Sequence, residues 1–168
     1  MEGLCSCEHI SRSEFGLIDA NERIVRVILS PIHINKRTGE VKPSAFPVSH
    51  LMEKGFSLMR LEKMDSPELQ RQAEAIRDAA TRGTGLLQEV KGVVVSTASE
   101  LREIYDEEDR QAFCLFDEPV EAGEDILENK AHSVAIRSLD QDSTEVQGLR
   151  DRLIDIFGKL LALDKAYS

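Results

Sequence analysis

Between Ala112 and Ser138 two apolar runs face each other across an acidic, turn-rich interval, and this pairing most restricts what the chain can fold into. The first run, Ala112-Phe113-Cys114-Leu115-Phe116, stops at Asp117-Glu118-Pro119. The second, His132 to Arg137, carries Val134, Ala135 and Ile136. Runs this short, bounded by turn residues, suit strands better than helices, which need about ten residues or more. The interval holds Glu118, Glu121, Glu124, Asp125 and Glu128, then Asn129-Lys130-Ala131-His132. A histidine is thus expected at the start of a strand beside a negatively charged loop.

The same reasoning places strands at Glu22–Leu29, where β-branched residues dominate, at Phe56–Leu61, and around Val93-Val94-Val95. Alternation in the second of these sets Phe56, Leu58 and Arg60 on one face and Ser57, Met59 and Leu61 on the other. A helix opens near Ser66-Pro67-Glu68, with Leu69, Ala73, Ile76 and Ala80 as its apolar stripe and Gly83 and Gly85 as its stop. Thr97 and Glu100 have capping-box spacing for a short helix through Leu101 and Tyr105. Leu149, Leu153, Ile156, Phe157, Leu160 and Leu163 trace a broad apolar face on a last helix, with Gly158 inside it. The order is strands, helix, strand, short helix, strands, helix. It predicts one α+β (or α/β) domain over residues 22–168, with a small mixed sheet, two main helices and one short one, preceded by a polar tail over residues 1–21.

At 168 residues the chain is long enough to bury a core without a disulfide or metal to close it. Its net charge of −10 disfavours nucleic acid, because phosphate-backbone binding depends on Lys and Arg. No apolar run has the length of a membrane span. The odd count of three cysteines gives no disulfide framework, so a cytoplasmic, reducing location is expected. Cys5, Cys7 and His9 are zinc-type ligands, but their spacing is shorter than a zinc knuckle and no second pair follows, so no metal is expected. No phosphate loop, dinucleotide fingerprint, nucleophile elbow or zinc-protease motif occurs, and no cofactor is indicated.

His132 is the candidate catalytic residue. A loop carboxylate near its imidazole would raise its pKa and orient the ring, as for a general base; the alternative is a histidine that satisfies a turn. Arg26, His33, Ser57 and Arg60, on or beside the first two strands, form a candidate anion site in an otherwise acidic protein. Cations solvated on an edge strand, or Arg60 paired with Glu53 or Glu62, are the structural alternative. Asn129 reads as a turn residue that also borders the site. Cys114, inside an apolar run, reads as a small buried hydrophobe.

These residues carry a resemblance. The segments RVILSPIHINKRTGEVKPSAF (26–46), GFSLMR (55–60) and DEPVEAGEDILENKAHSVAIR (117–137) are similar to those of a diffuse group of small bacterial proteins without an assigned activity. Lys130 stands where that group has proline and Ser133 where it has alanine, and the loop after Pro119 is longer. The resemblance implies that Arg26, His33, Phe46, Ser57, Arg60, Asn129 and His132 share one spatial cluster. The expected function is a binding or regulatory subunit, with a protein partner, in a multi-component bacterial system of the defence or toxin–antitoxin kind. The alternative is an enzyme acting on an anionic small molecule or nucleotide, similar to ADP-ribosyltransferases only by fold-level analogy.

Overall fold

The computed structural model describes residue 8, residues 10–137 and residues 143–168, with the side chains of 143 and 144 excepted. Cys5, Cys7 and His9 lie outside the described residues. Five strands form one sheet: β1 (Arg23–Ser30), β2 (Phe56–Arg60), β3 (Glu89–Thr97), β4 (Cys114–Asp117) and β5 (His132–Ile136). Their order across it is β3-β1-β2-β5-β4, and each neighbouring pair is antiparallel. The chain is therefore α+β, and the sheet is antiparallel where a mixed one was expected. Three helices accompany it: α1 (Ser66–Thr84), α2 (Ala98–Arg102) and α3 (Ser143–Phe157).

Alternation along β1 divides the core. Ile24 and Ile28 face one side with Phe56, Leu58, Leu115 and the apolar residues of α2 and α3. Val25, Val27 and Leu29 face the other with Met59, Leu69 and Ala73 of α1. The sheet thus lies between α1 and the α2–α3 pair, and burial on both faces explains why β1 reads as an almost unbroken apolar run. Arg26 interrupts that run from the α2–α3 side.

Local signals account for most element ends. Asp65, not Ser66, caps α1, its carboxylate accepting from the Glu68 amide at 2.9 Å, while Gly85 ends the helix in the left-handed region at φ 69°. The Thr97–Glu100 capping box is formed in full. The last helix is shorter than its apolar pattern: it stops at Phe157, and Gly158 with φ 63° turns the chain away. The following segment then pairs with the outer edge of the sheet, Val93 and Leu161 exchanging two hydrogen bonds of 2.8 Å. Gly92 lies directly beneath that crossing, where an added Cβ would collide with the Leu161 carbonyl. A loose apolar end is in this way turned into a cover for the β3 edge.

Two further expectations are corrected. Residues 11–18 are not a tail but pack against the domain: Ile18 enters the core, and the Arg12 and Ser13 amides donate to Asp117 at 2.9 and 2.8 Å. Cys114 is buried but disulfide-bonded rather than a free apolar thiol. Structural disulfides belong mainly to oxidising surroundings, so the cysteine count no longer argues for a reducing compartment. Among the described residues, no helix is long and apolar enough to cross a membrane.

Candidate functional site

The site begins where β1 and β2 part. Their pairing is confined to Ile24 with Arg60 and Val25 with Met59. Beyond it the Ser57 carbonyl accepts from Arg26 Nη1 at 2.9 Å, so a guanidinium takes the place of a ladder amide. A cleft of about 390 Å³ opens over this region, lined by residues of β1, β2, α1 and the β4–β5 connection. Arg26, His33, Ser57, Asn129 and His132 all line it. So do Gln72, Ala75, Ile76 and Ala79 of α1, which form one wall.

Arg26 is held from three directions. Nη2 donates to the Ala45 carbonyl at 3.1 Å, and the guanidinium carbon lies 4.2 Å from the centre of the Phe56 ring, a cation–π contact. Phe56 is itself stacked on Phe46 at 5.2 Å. Phe46 is therefore core beneath the site and not part of the cleft lining. Burial lowers the pKa of Arg26 to about 10, which still leaves it charged at neutral pH. Among the described residues no carboxylate pairs with it.

The two histidines are fixed in opposite tautomers. His33 Nδ1 accepts from the Leu29 amide at 3.0 Å, so its ring proton is on Nε2. His132 Nδ1 meets the Glu118 backbone carbonyl at 2.6 Å, and a carbonyl can only accept, so here Nδ1 carries the proton and Nε2 keeps its lone pair. Burial, with the charges of Arg26 and Lys42, lowers the pKa of His33 to about 4. Burial lowers that of His132 as well, outweighing the Glu118 carbonyl and carboxylate, which act the other way. The expectation that loop acids raise the His132 pKa is thus overturned: it is the Glu118 main chain, not a side chain, that orients the ring.

The acidic interval is a β-hairpin arm. Val120 and Asn129 exchange two hydrogen bonds of 2.9 Å, and Gly123 pairs with Ile126 across a turn in which Asp125 takes φ 58°. Asn129 Oδ1 caps the base by accepting from the Ala131 amide at 3.1 Å, the turn role expected of it. The arm reaches over the cleft, to which it contributes Val120, Asp125, Ile126 and Leu127. Gln72, almost fully buried, fastens it to α1, its Nε2 donating to the Glu128 carbonyl at 2.7 Å.

Arg60 does not belong to this cluster. It points to the α2–α3 face of the sheet, away from α1, is 0% exposed, and is bound by Glu22 at 2.6 Å and Asp117 at 3.2 Å, with the Gly16 and Leu17 carbonyls taking its remaining contacts. Its charge is neutralised inside the protein, which removes it as an anion clamp; its partners are neither Glu53 nor Glu62. Gln72 and the α1 wall were absent from the sequence reading. The signal for Gln72 was present: it is a polar residue beside Leu69, Ala73 and Ile76 on the face expected to be apolar. Burial, with the charges of Arg26 and Lys54, also lowers the pKa of His50.

The chain matches no family model, no curated protein and no solved structure.

Proposed function

We propose that the protein is a binding domain for a small anionic molecule, received in the cleft between α1, the hairpin arm and the β1–β2 gap. One observation carries this: Arg26 lines the cleft as a desolvated cation whose partners are two backbone carbonyls and an aromatic face, not a carboxylate. Removing a charge from water is costly unless an opposite charge compensates it. A ligand anion completes the set. The biological setting we propose is a regulatory subunit of a multi-component bacterial system of the defence or toxin–antitoxin kind, supported by the resemblance of residues 22–137 and the small size of the domain.

A thermal-shift screen using anionic compounds and their neutral isosteres tests the binding reading, since a ligand of the native state raises Tm. Anionic members are expected to stabilise the wild type and to lose that effect on Arg26→Gln. Equal stabilisation by the neutral isosteres contradicts it. For the setting, affinity purification from the host is expected to return a stoichiometric protein partner; a lone monomer contradicts it.

The tautomer of His132 favours a second reading, an enzyme acting on the same anion. A neutral imidazole with Nδ1–H held by a carbonyl and Nε2 bare is equipped to take a proton from a ligand hydroxyl. His132→Gln is then expected to abolish turnover while leaving binding intact, and binding that falls with turnover contradicts a base role.

A further inference from the structure

We infer that the anion is an aliphatic monocarboxylate, its carboxylate at Arg26 and its hydrocarbon tail against α1 beneath the hairpin arm. The inference rests on the binding reading above and adds the ligand class.

Charge sets the head group. His33 and His132 are both neutral at neutral pH because burial lowers their pKa values, so among the described residues Arg26 is the one positive side chain lining the cleft, and Asp125 at the arm lends it a negative one. One guanidinium matches one carboxylate in charge and in its forked geometry. A phosphate dianion would leave charge uncompensated in a partly desolvated site. Among the described residues the usual phosphate devices are also missing from the lining. α1 presents Gln72 to Ala79, its middle, so no helix N-terminus points inward, and no glycine-rich loop borders the cleft.

Shape and lining set the tail. Apart from the polar groups already described, the walls are aliphatic: Val25, Val27 and Met59 from the sheet, Ala75 and Ile76 from α1, Leu127 from the arm. Among the described residues no Phe, Tyr or Trp ring lines the cleft, so a nucleobase lacks its usual stacking partners there and has only the imidazoles and Arg26 beside it. Alanines on the helix leave room for a flexible chain. At roughly 30 Å³ per water-sized group, 390 Å³ accommodates about a dozen non-hydrogen atoms, the size of octanoate or decanoate.

Calorimetric titration of the full chain with hexanoate, octanoate and decanoate, their primary amides, and a nucleoside monophosphate tests this. Affinity for the carboxylates is expected to rise about fourfold per added methylene up to decanoate, as burial of each methylene predicts. The amides are expected to bind at least about tenfold more weakly, the increment of a lost charge-assisted pair. Ala75→Phe, which fills the tail region, is expected to weaken decanoate more than hexanoate, and a melting curve confirms that this variant is folded. Affinity that does not change with chain length overturns the inference. A nucleotide that binds tighter than every carboxylate overturns the ligand class and leaves the anion site standing. Amides that bind as tightly as the carboxylates overturn both. No heat with any of these compounds overturns the carboxylate class, while the screen with other anions then decides the binding reading separately.

Discussion

Arg26 and Arg60 lie on adjacent strands and share a face of the sheet, yet meet opposite fates. Arg60 is enclosed with two carboxylates, and Arg137 is treated likewise, 0% exposed and paired with Asp106 at 2.7 Å and Glu145 at 3.4 Å. Among the described residues Arg26 has only neutral partners. The fold therefore neutralises two buried guanidinium groups internally and leaves a third uncompensated at the wall of a cleft. A charged pair inside a protein sets geometry, because neither member tolerates loss of the other. An uncompensated cation contributes little to holding the fold and is free to recognise something outside it.

The strongest way to break this contrast is to remove each arginine and compare. Arg60→Ala strands Glu22 and Asp117 without their cation and is expected to cost about 3–5 kcal/mol in chemical denaturation. A loss below about 1 kcal/mol would remove its structural role.

Acid separates the two regions next. In the cleft the folded pKa of His33 is lowered to about 4 from an ordinary value near 6.5. The unfolded chain then takes up a proton that the native state refuses. The His33 contribution is intact above about pH 6.5 and is lost as pH falls towards about 4, by on the order of 1–2 kcal/mol once partial solvent exposure is allowed for. Burial pushes Asp117 up, but hydrogen bonds from the Ser13 hydroxyl and amide and the Arg12 amide, with the charge of Arg60, hold it below the usual carboxylate range. Its contribution survives until lower pH. Stability measured against pH should lose its upper step in His33→Asn, which keeps an acceptor for the Leu29 amide; an unchanged profile would contradict the assignment.

Smaller effects sharpen the comparison. Arg26→Gln is expected to change stability by only about 1 kcal/mol, because its lost hydrogen bonds are offset by relief of a desolvated charge. A cost equal to that of Arg60→Ala would make Arg26 a structural residue. Gln72→Ala is expected to cost about 1 kcal/mol or less and to raise amide exchange across the arm, at Val120 and Asn129, before it affects the sheet. Exchange that rises everywhere at once would show that the arm is not a separate unit.

The sequence made the strands, their faces and the capping box legible because those depend on near neighbours. The alternation of β2 correctly sets Ser57 and Met59 opposite Phe56, Leu58 and Arg60, and the histidine does begin a strand. What could not be read was which arginine finds a carboxylate. Arg60 meets Glu22 from 38 residues away and Asp117 from 57, and nothing beside it in the chain announces either. The His132 pKa was misjudged for a related reason: five nearby acids suggested a raised value, but burial of the ring depends on how the hairpin arm folds back. Gly158 was readable and misread, since a glycine after a run of apolar helix positions also marks a helix end.

The account turns on whether Arg26 is the group that receives the anion. Following its Nε–H resonance in a titration with octanoate tests this at the atom concerned. The account predicts a saturable shift of that resonance, with the Arg60 and Arg137 signals unmoved and no shift with octanamide. An Arg26 signal that stays fixed while octanoate binds would contradict it.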